Sequence, residues 1–173
     1  GHFIANKNVQ KLFKIGDNLA LTTAGLVGHA QSLSRTLSAE VALFQLRRQQ
    51  PMTVRGAATL TANILSGRAH WVQLLIVGVD AEGGHVYSID SAGGSIPDVY
   101  CATGSGSPYM DGVLEDGFSE GMSRTDALKL AARALYASGQ RDAASGNGMD
   151  LSVITAKDGF VSLTQTEISK LLS

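Results

Sequence analysis

DNLALTTAGLVGHAQSLSRTLSAEVALFQLRRQQP, residues 17–51, changes its period part-way along. In residues 17–25 Leu19, Leu21 and Thr23 alternate with Ala20, Thr22 and Ala24, the two-residue period of a strand. After Gly25 the spacing widens: Ala30, Leu33, Leu37, Val41 and Phe44 recur every three or four residues, one stripe of a long helix running to about Gln49. Pro51 stops it, since proline has no amide to continue the ladder. A strand running into a long amphipathic helix starts a mixed fold.

Beyond Pro51 the alternation of strands and helices continues. Thr53 is a helix cap for TVRGAATLTANILSG, in which Val54, Ala57, Ala58, Leu60, Ile64 and Leu65 make a broad apolar side before Gly67. VQLLIVGVD and HVYSID, separated by AEGG, read as a hairpin, and SAGG turns into a third strand, SIPDVY. GSGSPYMDGVLED is a glycine-rich bend opening another helix. Ser123 with Asp126 begins the next, which carries Ala127, Leu128, Ala131, Leu135 and Ser138. The chain closes on the strands MDLSVIT and FVSLT around the turn AKDG, then a short helix with Thr164 and Glu167 in capping-box positions. Strands, two helices, strands, two helices, strands: the order predicts an α+β fold, a four-layer αββα sandwich of two antiparallel sheets with helix pairs on the outer faces. Its 173 residues suit a single domain spanning 1–173.

Composition narrows the function classes. A 44% hydrophobic, 17% charged chain with 20 glycines and 3 prolines is a packed domain, and its net charge of −1 gives no electrostatic case for nucleic acid or an anionic membrane. No apolar run approaches the roughly 18–20 residues of a membrane span. The opening, GHFIANKN, has no signal-peptide pattern and no initiator methionine, and reads as beginning inside a fold. Cys101, the one cysteine, can form no internal disulfide, reads as a small buried apolar residue and fits a reducing cytoplasm.

Several familiar chemistries find no motif. His2, His29, His70 and His85 are scattered, with no HExxH and no Cys/His cluster, so no metal is expected. ATGSGSP has neither the ending of a phosphate loop nor a GxGxxG spacing, and no other cofactor is expected. Neither Ser105 nor Ser145 lies in GxSxG, and Ser105 by spacing alone can be a turn residue. What remains is a set of polar or small residues at the ends of elements: Lys11 ahead of the 17–25 strand, Gly25 at its end, Ser105 in its bend, and Asp142 and Ser145 where a helix stops. A carboxylate at the negative end of a helix dipole needs compensation, either from neighbouring Arg141 or from a site built there.

AGLVGHAQSL (24–33), VQLLIVGVD (72–80), YSIDSAGG (87–94), ATGSGSPYMDGVLED (102–116) and RDAASGNGMDLSVIT (141–155) together resemble, in order and spacing, the β subunits of archaeal-type 20S proteasomes. The resemblance covers essentially the whole chain and implies the N-terminal-nucleophile hydrolase sandwich, in accord with the layers read from periodicity. It implies peptide hydrolysis by an N-terminal threonine that serves as nucleophile and, through its α-amine, as base. The hairpin carrying that threonine, and the acidic partner of the lysine, are expected upstream of Gly1. Lys11 matches the lysine beside the nucleophile, and Gly25 the position whose amide receives the oxyanion. Ser105, Asp142 and Ser145 match the residues around the terminal amine; Val9, Thr23, Val27 and Gln31 match the lining of the pocket for the residue before the cut. His29 stands where the family usually has an acidic residue. The implied partners are other β subunits in a seven-membered ring, α subunits, an ATPase regulatory particle and unfolded polypeptide. A non-catalytic structural ring subunit is the rival reading, and a bacterial two-ring peptidase of the same fold a third.

Overall fold

The computed structural model describes residues 11–67, 72–141 and 148–173. The chain divides into two compact units, one built on residues 10–103 and 154–161, the other on 104–153 and 162–173.

The first unit is a sheet covered by two helices. Strands β1 (Leu12–Gly16), β2 (Leu19–Gly25), β3 (Val72–Asp80), β4 (Gly83–Ile89) and β5 (Ser95–Asp98) lie in that order, each antiparallel to the next. Helix α1 (Val27–Arg48) lies against β1 and β2, and α2 (Val54–Ser66) against β3 and β4. The stripe expected on α1 is the one it buries: Ala30, Leu33, Leu37 and Val41 are inside, and Phe44 packs against the same core from a half-buried position. They meet Leu19, Leu21, Leu74 and Ile76, all from one face of the sheet. Each fully buried leucine or isoleucine there contributes about 1.5–3 kcal/mol relative to exposure. Gln49 closes α1 in the left-handed conformation at φ 55°, just ahead of Pro51.

Strand β1 has no counterpart among the elements expected from periodicity. LFKIG offers only one clear outward residue, Lys14, and its strand state comes from pairing Phe13 with Leu21 and Lys14 with Ala20. The turn after it is anchored by Asn18, whose Nδ2 donates to the carbonyls of Met52 at 3.1 Å and Val79 at 3.0 Å, while its own carbonyl accepts from the Val79 amide. The β3–β4 turn is tighter than expected, with only Ala81 and Glu82 outside the strands and Gly83 at φ 115°. Asp80 ties that turn to α2: one carboxylate oxygen accepts from the Val54 amide and the other from the Glu82 amide, both at 2.9 Å. Burial alone would raise the Asp80 pKa; those two amides, and then His85, outweigh it and hold the carboxyl below its ordinary value. Thr53 caps α2 as expected, its hydroxyl accepting from the Gly56 amide at 3.0 Å.

The second unit is built on helices α3 (Ser107–Gly117), α4 (Arg124–Arg141) and α5 (Gln165–Leu171). Gly117 lets α3 approach α4, since a Cβ there would run into Leu130. Of the positions expected along α4, only Ser138 is buried: Ala127 and Leu135 are exposed, and Leu128 and Ala131 are half-buried. Leu130, Ala132 and Ala134 are inside instead, because α4 has partners on two sides. Leu130 faces α3, whereas Ala132 packs with Leu151 and Ile168 toward α5. A single-stripe reading cannot anticipate a helix held from both flanks. The start of α4 is as expected, with the Asp126 amide bonded to Ser123 Oγ at 3.1 Å. The Thr164–Glu167 capping box is likewise complete.

Strands β6 (Ser152–Thr155) and β7 (Gly159–Ser162) form a separate two-stranded sheet, antiparallel because so short a connection cannot cross over. The molecule is thus α+β, with two sheets and two helix pairs in the predicted order. No helix among the described residues is long and apolar enough to cross a membrane.

Candidate active site

Backbone pairing places the first candidates together. One residue before β1, the Lys11 carbonyl accepts a hydrogen bond from the Thr23 amide at 2.9 Å, extending the ladder in which Leu12 opposes Thr22. Lys11 is exposed, whereas Thr23 is buried on the side of β2 that also carries Leu19 and Leu21. Two residues further on, Gly25 ends β2 opposite Val72, with φ at 124°. A side chain there would be strained, so glycine allows the sharp exit from strand to helix.

That exit determines where the next two candidates stand. Leu26 is the N-cap of α1 and makes no side-chain capping bond. Val27 and Gln31 are one helical turn apart on the first two turns of α1, and both are exposed. Thr23, Gly25, Val27 and Gln31 therefore follow one continuous strand-to-helix corner, with Lys11 bonded to its strand side. The positive end of the α1 dipole lies at the same corner and favours negative charge beside Gly25. A glycine in a conformation closed to other residues, set directly beside a helix N-terminus, suits the stabilisation of an oxyanion.

Ser105 belongs to the other compact unit. It is exposed in a turn closed by the Ser107 amide on the Gly104 carbonyl at 3.1 Å, with Gly104 at φ 94°, immediately before α3. The turn expected for GSG is therefore present. Val9, Asp142 and Ser145 lie outside the described residues, as do His2 and His70. Leu26, an apolar residue 54% exposed at the corner beside Val27, is absent from the candidates that the sequence singles out. Its position between a strand-ending glycine and a helix is the available signal.

Comparison with known proteins gives this constellation its setting. A family model described as proteasome subunit matches residues 1–154. The chain is 44% identical over 171 residues to the proteasome subunit beta of Methanosphaera stadtmanae, covering 99% of this chain and 83% of that protein. It is 45% identical over 177 residues to that of Archaeoglobus profundus, covering 100% of this chain and 82% of the relative. For Thermoplasma acidophilum the identity is 46% over 170 residues, covering 96% and 80%. The family match and these relatives, with the fold in accord, make the chain a member of the proteasome subunits, and it belongs to that family as a subunit of the β type.

Proposed function

We propose that this β subunit is a threonine-type endopeptidase of a 20S proteasome core, a hydrolase whose nucleophile is an N-terminal threonine upstream of Gly1, within the one domain to which residues 1–173 belong. The observation that carries the reading is the Thr23–Lys11 backbone bond, which holds Lys11 beside the corner of Gly25 and the α1 N-terminus.

In this mechanism the threonine hydroxyl attacks the scissile carbonyl and its own α-amine takes the proton, so no histidine is required. The Lys11 ammonium favours loss of that hydroxyl proton, and the Gly25 amide receives the negative charge that develops on the carbonyl oxygen. Ser105, Asp142 and Ser145 orient the terminal amine and its water. Asp142 then has a role beyond pairing with Arg141, and the small residues Ala143, Ala144 and Gly146 leave room for the amine. Val9, Thr23, Val27 and Gln31 line the pocket for the residue before the cut; its apolar members favour cleavage after hydrophobic residues. The subunit works in the cytoplasm in a seven-membered β ring between α rings, with an ATPase feeding it unfolded polypeptide.

The deciding experiment is the intact mass and N-terminal sequence of the mature protein, expressed from its complete gene with its α partner. A threonine upstream of GHFIANKN is the expected first residue. A mature chain beginning at Gly1 overturns the peptidase reading and leaves a structural ring subunit.

A further inference from the structure

The β3–β4 hairpin brings together three side chains for which the peptidase chemistry has no use. Asp80 ends β3, Glu82 lies in the turn and His85 lies on β4, and their ligand atoms all fall within 4.8 Å of one another. We propose that Asp80, Glu82 and His85 form a binding site for a divalent transition-metal ion of the zinc type, located where the hairpin meets the start of α2.

Two observations carry this beyond a chance grouping. His85 Nε2 is shut off from solvent and is paired with Asp80 Oδ1 without the geometry of a hydrogen bond, although the ring edge remains partly exposed. A buried ring nitrogen whose pairing with a carboxylate lacks hydrogen-bond geometry leaves room for an ion that both could bind. Second, Nε2 stands 3.3 Å from Asp80 Oδ1. Charge-assisted N–H···O bonds are shorter, about 2.7–2.9 Å. Two ligands of a tetrahedral ion, each bonded at about 2.0–2.1 Å, stand about 3.3 Å apart. The spacing of this pair, that of a long ion pair, also matches the edge of a zinc tetrahedron.

The surroundings hold the pair in place. Asp80 Oδ2 accepts from the Val54 amide and Oδ1 from the Glu82 amide, which fixes the carboxylate plane while leaving Oδ1 a second lone pair. Glu82 is exposed, so its carboxylate can swing inward as the third ligand, and water completes the shell. One imidazole with two carboxylates suits zinc or cobalt better than magnesium or calcium, which prefer oxygen throughout. The sequence alone leads to an expectation of no metal because D-x-E-x-x-H is neither HExxH nor a Cys/His cluster; only the hairpin register, Gly78 against His85 and Asp80 against Gly83, brings the three together.

Titration of the complete subunit with Co2+, followed by its visible absorption and by competition with Zn2+, tests the proposal. The expected result is one equivalent of Co2+ with a tetrahedral spectrum, displaced by Zn2+, with binding at least about tenfold weaker in His85→Ala and Glu82→Gln. Asp80→Asn is unsuitable because it also disturbs the contact with Val54. Far-ultraviolet circular dichroism checks that the variants fold. If they do not, protection of His85 from acylation by Zn2+ in the wild-type subunit, read by peptide mass, answers the same question. No tetrahedral spectrum, undiminished binding in His85→Ala, or no protection of His85 overturns the site and leaves Nε2 to Asp80 or to water.

Discussion

Lys11 and Thr23 are joined through their backbones and differ in exposure: the Thr23 amide donates to the Lys11 carbonyl at 2.9 Å, Thr23 is buried, and the Lys11 side chain is exposed. The bond that places Lys11 does not involve its ammonium group. Lys11→Ala in the complete, assembled protein should therefore leave stability within about 0.5 kcal/mol of wild type. Peptide cleavage should fall by at least about a hundredfold, the scale on which loss of a proton-transfer or charge-stabilising group is felt. Denaturation midpoints and a fluorogenic peptide assay measure the two effects separately. Full activity in the variant would remove Lys11 from the site.

The extent to which this corner is legible differs residue by residue. The buried stripe of α1, the caps Thr53, Ser123 and Thr164, and the β3–β4 hairpin all arise from local spacing, and the structure has each of them. Strand β1 and the Thr23–Lys11 bond depend on pairing between separate segments, which no local period encodes. The inner face of α4 is hidden for a related reason, since Ala132 is buried by Leu151 and Ile168 from beyond the helix. Lys11 and Gly25 can be singled out as element-end residues, but their roles come from the family resemblance.

Gly25 offers a backbone test. Its φ of 124° lies where an L side chain is strained, so Gly25→Ala should cost about 1–3 kcal/mol. Because the strain falls on the residue whose amide is proposed to receive the oxyanion, kcat should drop in the fraction that remains folded. Urea denaturation and active-site-normalised kinetics measure the pair. A variant as stable and as active as wild type would contradict both the conformation and the role.

Gly78 lies on β3 where three segments converge. A Cβ there would collide with the Asn18 carbonyl and come within 2.8 Å of Leu19 Cδ2 and 3.1 Å of Val54 Cγ2. Asn18 cannot easily yield, because its side chain is bonded to Met52 and Val79 and its carbonyl to the Val79 amide. Gly78→Ala should destabilise the protein by about 1–3 kcal/mol, the usual cost of overpacking a core. Thermal unfolding of the variant checks this, and an unchanged midpoint would mean that the β1–β2 turn is looser than described.

Glu167 should make the end of the chain sensitive to acid. Its carboxylate accepts from the Thr164 amide at 2.7 Å, and this bond, aided by the Thr164 side chain and more weakly by Lys170 and Arg124, holds its pKa below the ordinary 4.5. A carboxyl whose folded pKa is depressed binds its proton less readily in the folded state than in the unfolded one. Its contribution is therefore complete above 4.5 and is lost as pH falls through the lower folded value. Amide hydrogen exchange at Glu167 and Ile168, normalised for intrinsic pH dependence, should show α5 opening more often as pH falls below 4.5. In Glu167→Ala the opening should be frequent at every pH and should lack that acid step. The same acid step in the variant would assign it to another carboxylate.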